Sequence, residues 1–217
     1  IIMFSVFNVS LFAHVEHYKN LETLEYELFR NNKLIGFHKF QFLRNQDLLT
    51  VKSKIEFKIM KLGVELYSYK SESEENYKNS EFLSFKSKTN QNKKIKYVNI
   101  EKKDSNSLNV DGSSYKGSTS SDNIVGTWWN HKIVKSKAQI SAISGRIIEH
   151  KVTFIGKENI KIGNRNFEAL HFNFSSSNVN LPKNKKMNTD IWYDEKTSLW
   201  LKASFDKSGH WEYRLKH

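Results

Sequence analysis

Histidines, carboxylates and a tryptophan pair are the residues of this chain whose types bear on chemistry. His131, His150 and His171, with Glu149, would make a metal site or an acid–base pair only if the fold brought them together. Taken singly, each reads as an ordinary, partly exposed histidine. His14-Val15-Glu16-His17 sets two histidines three apart, but near a processed terminus nothing fixes ligand geometry. Asp190 and Asp194 bracket an aromatic strand. Four residues of strand separate their Cα atoms by roughly 13 Å, beyond the ~5–9.5 Å between the carboxyls of glycosidases, so they read as turn and strand-end residues. Trp128-Trp129 is the most suggestive element: adjacent tryptophans in an irregular segment line a pocket for sugar rings or acyl chains, or seal the open end of a sheet. A Gly-rich phosphate loop, a G-x-S-x-G elbow and an H-E-x-x-H pair are absent from the sequence, as is any cysteine. No cofactor, metal ligand or catalytic residue is therefore expected.

The formal charge is +12, from 35 Lys and Arg against 23 Asp and Glu. Such a balance draws anionic partners. Lysine and asparagine are nevertheless used along the whole chain, so no nucleic-acid partner is expected. The run Lys183, Lys185, Lys186 is the segment that would meet an anionic membrane surface.

The elements that would position these residues are strands. Leu49, Val51, Ile55, Phe57 and Ile59 alternate with Thr50, Lys52, Lys54, Glu56 and Lys58, which describes a strand with one buried and one wet face. Asn31-Asn32 and Gln46-Asp47 supply turns, since Asn tolerates positive φ, and Asp111-Gly112 is the strongest two-residue hairpin signal. Leu199, Leu201, Ala203 and Phe205 fall on one face of a late strand, with Trp200, Lys202 and Ser204 on the other. Gly117 to Asn123 reads as a Ser/Thr-rich loop, and Ile147–Ile155 and Glu158–Ile162 as separate strands. The stretch 126–143 is not cleanly periodic and reads as a short helical or irregular segment crossing one end of the sheet. The fold class is all-β: a curved antiparallel sheet forming a barrel or half-barrel.

Residues 1–13 form an uncharged apolar run ending in Ala13, followed by polar residues, which matches the core of a signal peptide and is short for a bilayer span. A single β domain over 14–217 and export to the periplasm are the corresponding expectations.

Three sets of residues resemble a family of uncharacterised, exported proteobacterial β-proteins, a domain of unknown function. They are Tyr26 to Gly36; Trp129-Asn130 with Ser144-Gly145-Arg146; and Asp190 to Asp194 with Trp200-Leu201-Lys202. Thr197-Ser198 stands where relatives usually place Gly in the last turn. More remotely the chain is similar to the lipoprotein-localisation carriers, whose curved sheets hold acyl chains. That resemblance implies a cell-envelope protein of a Gram-negative bacterium.

The leading functional expectation is non-enzymatic binding of a hydrophobic or amphiphilic, lipid-like ligand by a concave face bearing Phe57, Ile59, Tyr67, Trp128, Trp129, Trp192 and Trp200. The alternative is a structural or interaction protein of the envelope with a solid core. A small outer-membrane barrel is disfavoured, because it would bury Lys52, Lys54 and Lys58 in a narrow interior.

Overall fold

In the computed structural model, residues 18, 20–182 and 185–216 are described. The apolar run 1–13, His14, His17 and Lys183 lie outside them. Among the described residues, fifteen strands form a single sheet. The first half is a meander: β1 (Thr23–Arg30), β2 (Lys33–Asn45), β3 (Leu48–Lys61), β4 (Val64–Lys78), β5 (Glu81–Gln91), β6 (Lys94–Lys102), β7 (Ser107–Gly112) and β8 (Lys116–Ser120). The second half comprises β9 (Ile124–Val125), a 3-10 turn (His131–Lys135), β10 (Ala138–Ile140), β11 (Ile147–Ile162), β12 (Arg165–Ser176), β13 (Asn188–Asp194), β14 (Trp200–Asp206) and β15 (His210–Leu215). The spatial order runs from β8 back to β1, then β15 back to β9. The first and last described strands therefore meet in the middle of the sheet, with Tyr26 opposite Leu215. The two edges, β8 and β9, are consecutive in sequence.

Local sequence explains most of the meander. Asn31-Asn32, Asn79-Ser80 and Asn92-Lys93 all hold positive φ at both turn positions, the pattern of primed hairpin turns whose twist matches that of the strands. Along β3, Leu49, Val51 and Phe57 are buried, while Lys52, Lys54 and Lys58 face solvent.

Side-chain packing closes the curl where strand pairing stops. Val125 of β9 and Ile140 of β10 are buried in one cluster with Phe85, Val98, Ile100, Leu108 and Val110 from β5–β7. The 141–146 loop lies over the same strands: Ser114 N–H donates to Ser144 O at 2.8 Å and Ser87 Oγ to Ala142 O at 2.5 Å. The result is a barrel-like shell with a seam between β8 and β9.

Four local expectations are corrected. Asp111-Gly112 is not a turn: it ends β7, Asp111 pairs with Lys116, and residues 113–115 turn the chain. Gly112 answers a different demand, because a Cβ there would sit 2.6 Å from Ser144 O. The Ser/Thr-rich loop contains edge strand β8, whose hydroxyl-rich sequence suits a strand largely open to water. The two strands expected across 147–162 are one, bent by an irregularity at Phe154–Gly156. The alternation in β14 is broken by a bulge: Tyr193 pairs with Trp200 and Trp192 with Lys202, so Leu201 is the extra residue. Trp200 and Leu201 are thereby both fully buried instead of lying on opposite faces. The irregular central segment resolves into β9, the 3-10 turn and β10.

Gly36 marks where β2 passes close to β3. A Cβ there would lie 2.0 Å from Glu56 O and 2.5 Å from Phe57 Cβ, contacts that only backbone movement relieves. Gly36→Ala is expected to lower stability by about 3 kcal/mol, read in urea as a lower midpoint with an unchanged slope.

Candidate functional site

A set of polar contacts between the crossing loop and the meander converges on Glu75, in the last third of β4. Strand phase sets it on the inward side with Tyr69, Ser71 and Tyr77, and it is 2% exposed. Loop 126–130 crosses to meet it. Trp129 Nε1–H donates to Glu75 Oε2 at 3.0 Å, and the Thr127 hydroxyl donates to the same oxygen at 3.4 Å. The Tyr77 hydroxyl hydrogen-bonds to Oε1 and itself accepts from Asn130 Nδ2 at 3.1 Å. Asn130 also caps the 3-10 turn, its Oδ1 accepting from Lys132 N–H at 3.1 Å. One carboxyl thus latches the crossing loop to the meander half. Burial is the dominant influence on Glu75, raising its pKa to about 7 against the pull of the Tyr77, Trp129 and Thr127 hydrogen bonds.

Above this network opens a cleft of about 670 Å³ at the seam. Its floor is Glu75, Tyr77 and Asn130 with Phe82, Leu108, Ile124 and Val125. Its rim carries Lys102, Lys132, Lys135 and Lys137 against Glu81 and Asp122. Lys102 Nζ donates to Glu81 Oε2 at 2.7 Å, and the pair together with Lys132 holds the Glu81 carboxyl below its ordinary pKa. An apolar floor with a few convergent polar groups and a cationic rim is the chemistry that holds an anionic amphiphile. A second hollow, of about 660 Å³, lies on the outer side of β2–β6 and is polar, with Lys52, Glu74 and Lys86 in cross-strand succession. It offers no comparable apolar floor.

The seven aromatic and aliphatic residues expected on the concave face line other parts of the shell, and none of them lines the cleft. Phe57 stacks on Tyr67 and meets Trp211 edge-on, with Ile59 half-buried opposite Tyr67 in the ladder. Trp129 is fully buried and meets Tyr18, Phe42 and Tyr77 edge-to-face. Trp200 stacks on Tyr26 with centroids 4.0 Å apart. Trp128, at φ 61°, packs edge-on against Trp200 and Tyr213, and its carbonyl accepts from the Tyr193 hydroxyl. Trp192 points to the opposite side from Ile191 and Tyr193, stacked on His171 at 4.2 Å with Lys202 over its other side at 4.9 Å. The tryptophan pair therefore fills the interior.

The three histidines occupy separate surroundings. His131 packs against Tyr193 and Phe172, and His150 approaches Ser136 Oγ at 3.3 Å. His171 Nδ1 meets Glu158 and its Nε2 meets Asp190 at 2.9 Å. Asp194 caps its turn by accepting from Thr197 N–H at 2.9 Å and from the Thr197 hydroxyl. Among the described residues no group of three or more His, Asp or Glu is placed to hold a metal ion. Sequence reasoning missed Glu75, which sits in the polar run Ser71-Glu72-Ser73-Glu74-Glu75. Its only sequence signal is phase, in step with Tyr69 and Tyr77.

Comparison with known proteins follows the fold. The model of a family described as a domain of unknown function (DUF6134) matches residues 26–216. No curated protein matches the sequence. Among solved structures, the chain is similar to the crystal structure of a beta-barrel-like protein of domain of unknown function DUF1849 from Brucella abortus. The TM-score is 0.61 at 10% identity, over 89% of this chain and 94% of that one. At that identity the likeness shows a shared barrel-like fold.

Glu75 gives a pH test. Its folded pKa of about 7 lies above the ordinary glutamate value of 4.5, so the folded state binds the proton more tightly and its stabilising effect is complete below pH 4.5. It is lost as pH rises towards 7. Glu75→Gln cannot titrate. Between pH 4.5 and 7 the unfolding free energy of the variant, relative to wild type, is expected to rise by roughly 3 kcal/mol and then level off. Paired urea titrations across that range check it.

Proposed function

Because the chain belongs to the DUF6134 family, whose description assigns no activity, we propose a function from the seam cleft itself: non-enzymatic binding of an amphiphile with an anionic head group. The observation that carries this reading is the pairing of an apolar floor (Phe82, Leu108, Ile124, Val125) with a lysine rim (Lys102, Lys132, Lys135, Lys137) in one cleft of about 670 Å³. That volume falls within the ~300–1,000 Å³ usual for small-molecule sites. Lys132, Lys135 and Lys137 sit on or just after the 3-10 turn that Asn130 caps, so the network on Glu75 also orients the head-group end. We place this activity outside the cytoplasm on the strength of the signal-peptide-like run at residues 1–13, and in the periplasm of a Gram-negative envelope on the remote resemblance to the lipoprotein-localisation carriers.

A second reading is favoured by a different observation. Trp129 and Trp200 are completely buried in a filled interior, which suits an envelope protein that works through its surface with no ligand inside.

Native mass spectrometry of the protein purified from an envelope fraction without detergent separates the two. The binding reading expects a reproducible added mass that dissociates as a lipid-like anion. It also expects loss of about tenfold in affinity for that species in Lys132→Glu/Lys135→Glu, since each charge contact contributes modestly and two are reversed. A clean apo mass, with no uptake from extracted envelope lipids, removes it and leaves the solid-core reading.

A further inference from the structure

The β3–β4 hairpin carries an exposed apolar tip that the fold does not require. Pairing between β2 and β3 stops at Gly36 opposite Phe57, and pairing between β4 and β5 starts only at Tyr69 opposite Gln91. Residues 58–68 therefore project as a two-stranded ribbon with no strand on either flank. Its side chains Met60, Leu62, Val64 and Leu66 are 53%, 95%, 60% and 53% exposed. The turn itself is Leu62-Gly63, with φ of 49° and 79°. The comparable turns of the same sheet use Asn31-Asn32, Asn79-Ser80 and Asn92-Lys93 at these dihedrals. A leucine at positive φ is sterically disfavoured, and at this tip it recovers nothing by packing.

The surroundings of the tip are cationic. Lys58 and Lys61 lie on the ribbon, and Lys58 pairs with Glu65 at 2.8 Å across it. Lys93 and Lys94 lie at the neighbouring β5–β6 turn, which is fastened to the ribbon's base by Asn92 N–H donating to Ser68 O at 2.8 Å. Lys93 is near enough to act on the Glu65 carboxylate. Ile95, 57% exposed, extends the apolar surface beside them. Protruding aliphatic side chains with lysines set back from them match the depth profile of an anionic bilayer, where apolar groups enter the acyl region and ammonium groups stay among lipid phosphates.

We propose that the β3–β4 hairpin inserts Leu62 and its aliphatic neighbours into the interface of an anionic phospholipid membrane, with Lys58, Lys61, Lys93 and Lys94 holding the head groups. By strand direction the hairpin lies at the opposite end of the sheet from the 79–80 and 121–123 turns that border the cleft. Docking therefore stands or falls independently of cleft binding.

Flotation with vesicles containing phosphatidylglycerol, compared with vesicles of phosphatidylcholine alone, tests the proposal. The wild-type protein is expected to float with the anionic vesicles and not with the neutral ones. Leu62→Asn relaxes the turn, so it folds at least as stably, and is expected to bind about tenfold more weakly because one leucine side chain no longer enters the bilayer. Lys93→Glu/Lys94→Glu is expected to abolish flotation at moderate salt. Leu48→Asn, an exposed leucine at the far end of β3, is expected to leave binding unchanged. Failure of the wild type to float with anionic vesicles, or equal binding by Leu62→Asn, overturns the proposal; the latter would move any membrane contact to another surface, such as the Lys185–Lys186 loop.

Discussion

A buried carboxyl that accepts hydrogen bonds from a loop far away in sequence ties the two halves of this sheet together. Glu75 receives the Trp129 indole N–H and the Thr127 hydroxyl, and Tyr77 next to it receives Asn130. Without those contacts the 126–130 loop would have to leave its indole N–H and side-chain amide buried and unmatched, an expensive arrangement in a low-dielectric interior. With them, Trp129 fills the centre of the shell, the 3-10 turn starts from a fixed point, and Val125 and Ile140 are delivered to the seam. Seam, plug and lysine rim all depend on this junction.

The same inner surface contains a second polar tier. His38 Nε2 meets Ser53 Oγ at 2.8 Å, and Ser71 Oγ meets Thr89 Oγ1 at 2.7 Å. Burial lowers the His38 pKa to about 3, so the ring is neutral when folded, and its contribution to stability is lost as pH falls from 6.5 towards 3. Glu75 favours the folded state in its protonated form. The two groups therefore oppose each other in acid. The Ser71–Thr89 hydroxyl pair, on directly opposed residues of β4 and β5, also helps fix which strand residues face one another, which apolar contacts alone would leave looser.

Much of this architecture is written locally. The β3 alternation and the Asn-rich turns follow from side-chain phase and from what Asn backbones tolerate. What stays hidden arises between segments distant in sequence. Gly112 looks like a turn glycine until Ser144 is seen beside it, and Leu201 looks in phase until Tyr193 pairs with Trp200. Glu75 looks like one more wet acid in a polar strand. Residue by residue the aromatic set reads as a ligand surface, yet ring-to-ring contacts with Tyr26 and Tyr213 draw Trp128 and Trp200 into the core.

The pairing of β1 with β15 carries a consequence for synthesis. As the chain emerges, each strand from β2 to β8 finds its predecessor a short turn away, and these pairings cost little loop-closure entropy. One side of β1 must wait for β15, because Tyr26 meets Leu215 only then. Until that moment an open strand edge is exposed, the kind of surface on which unfinished chains pair with one another. A nascent chain cut short before Trp211 would keep that edge permanently, which makes the emergence of β15, more than any single contact, the event that renders this sheet safe.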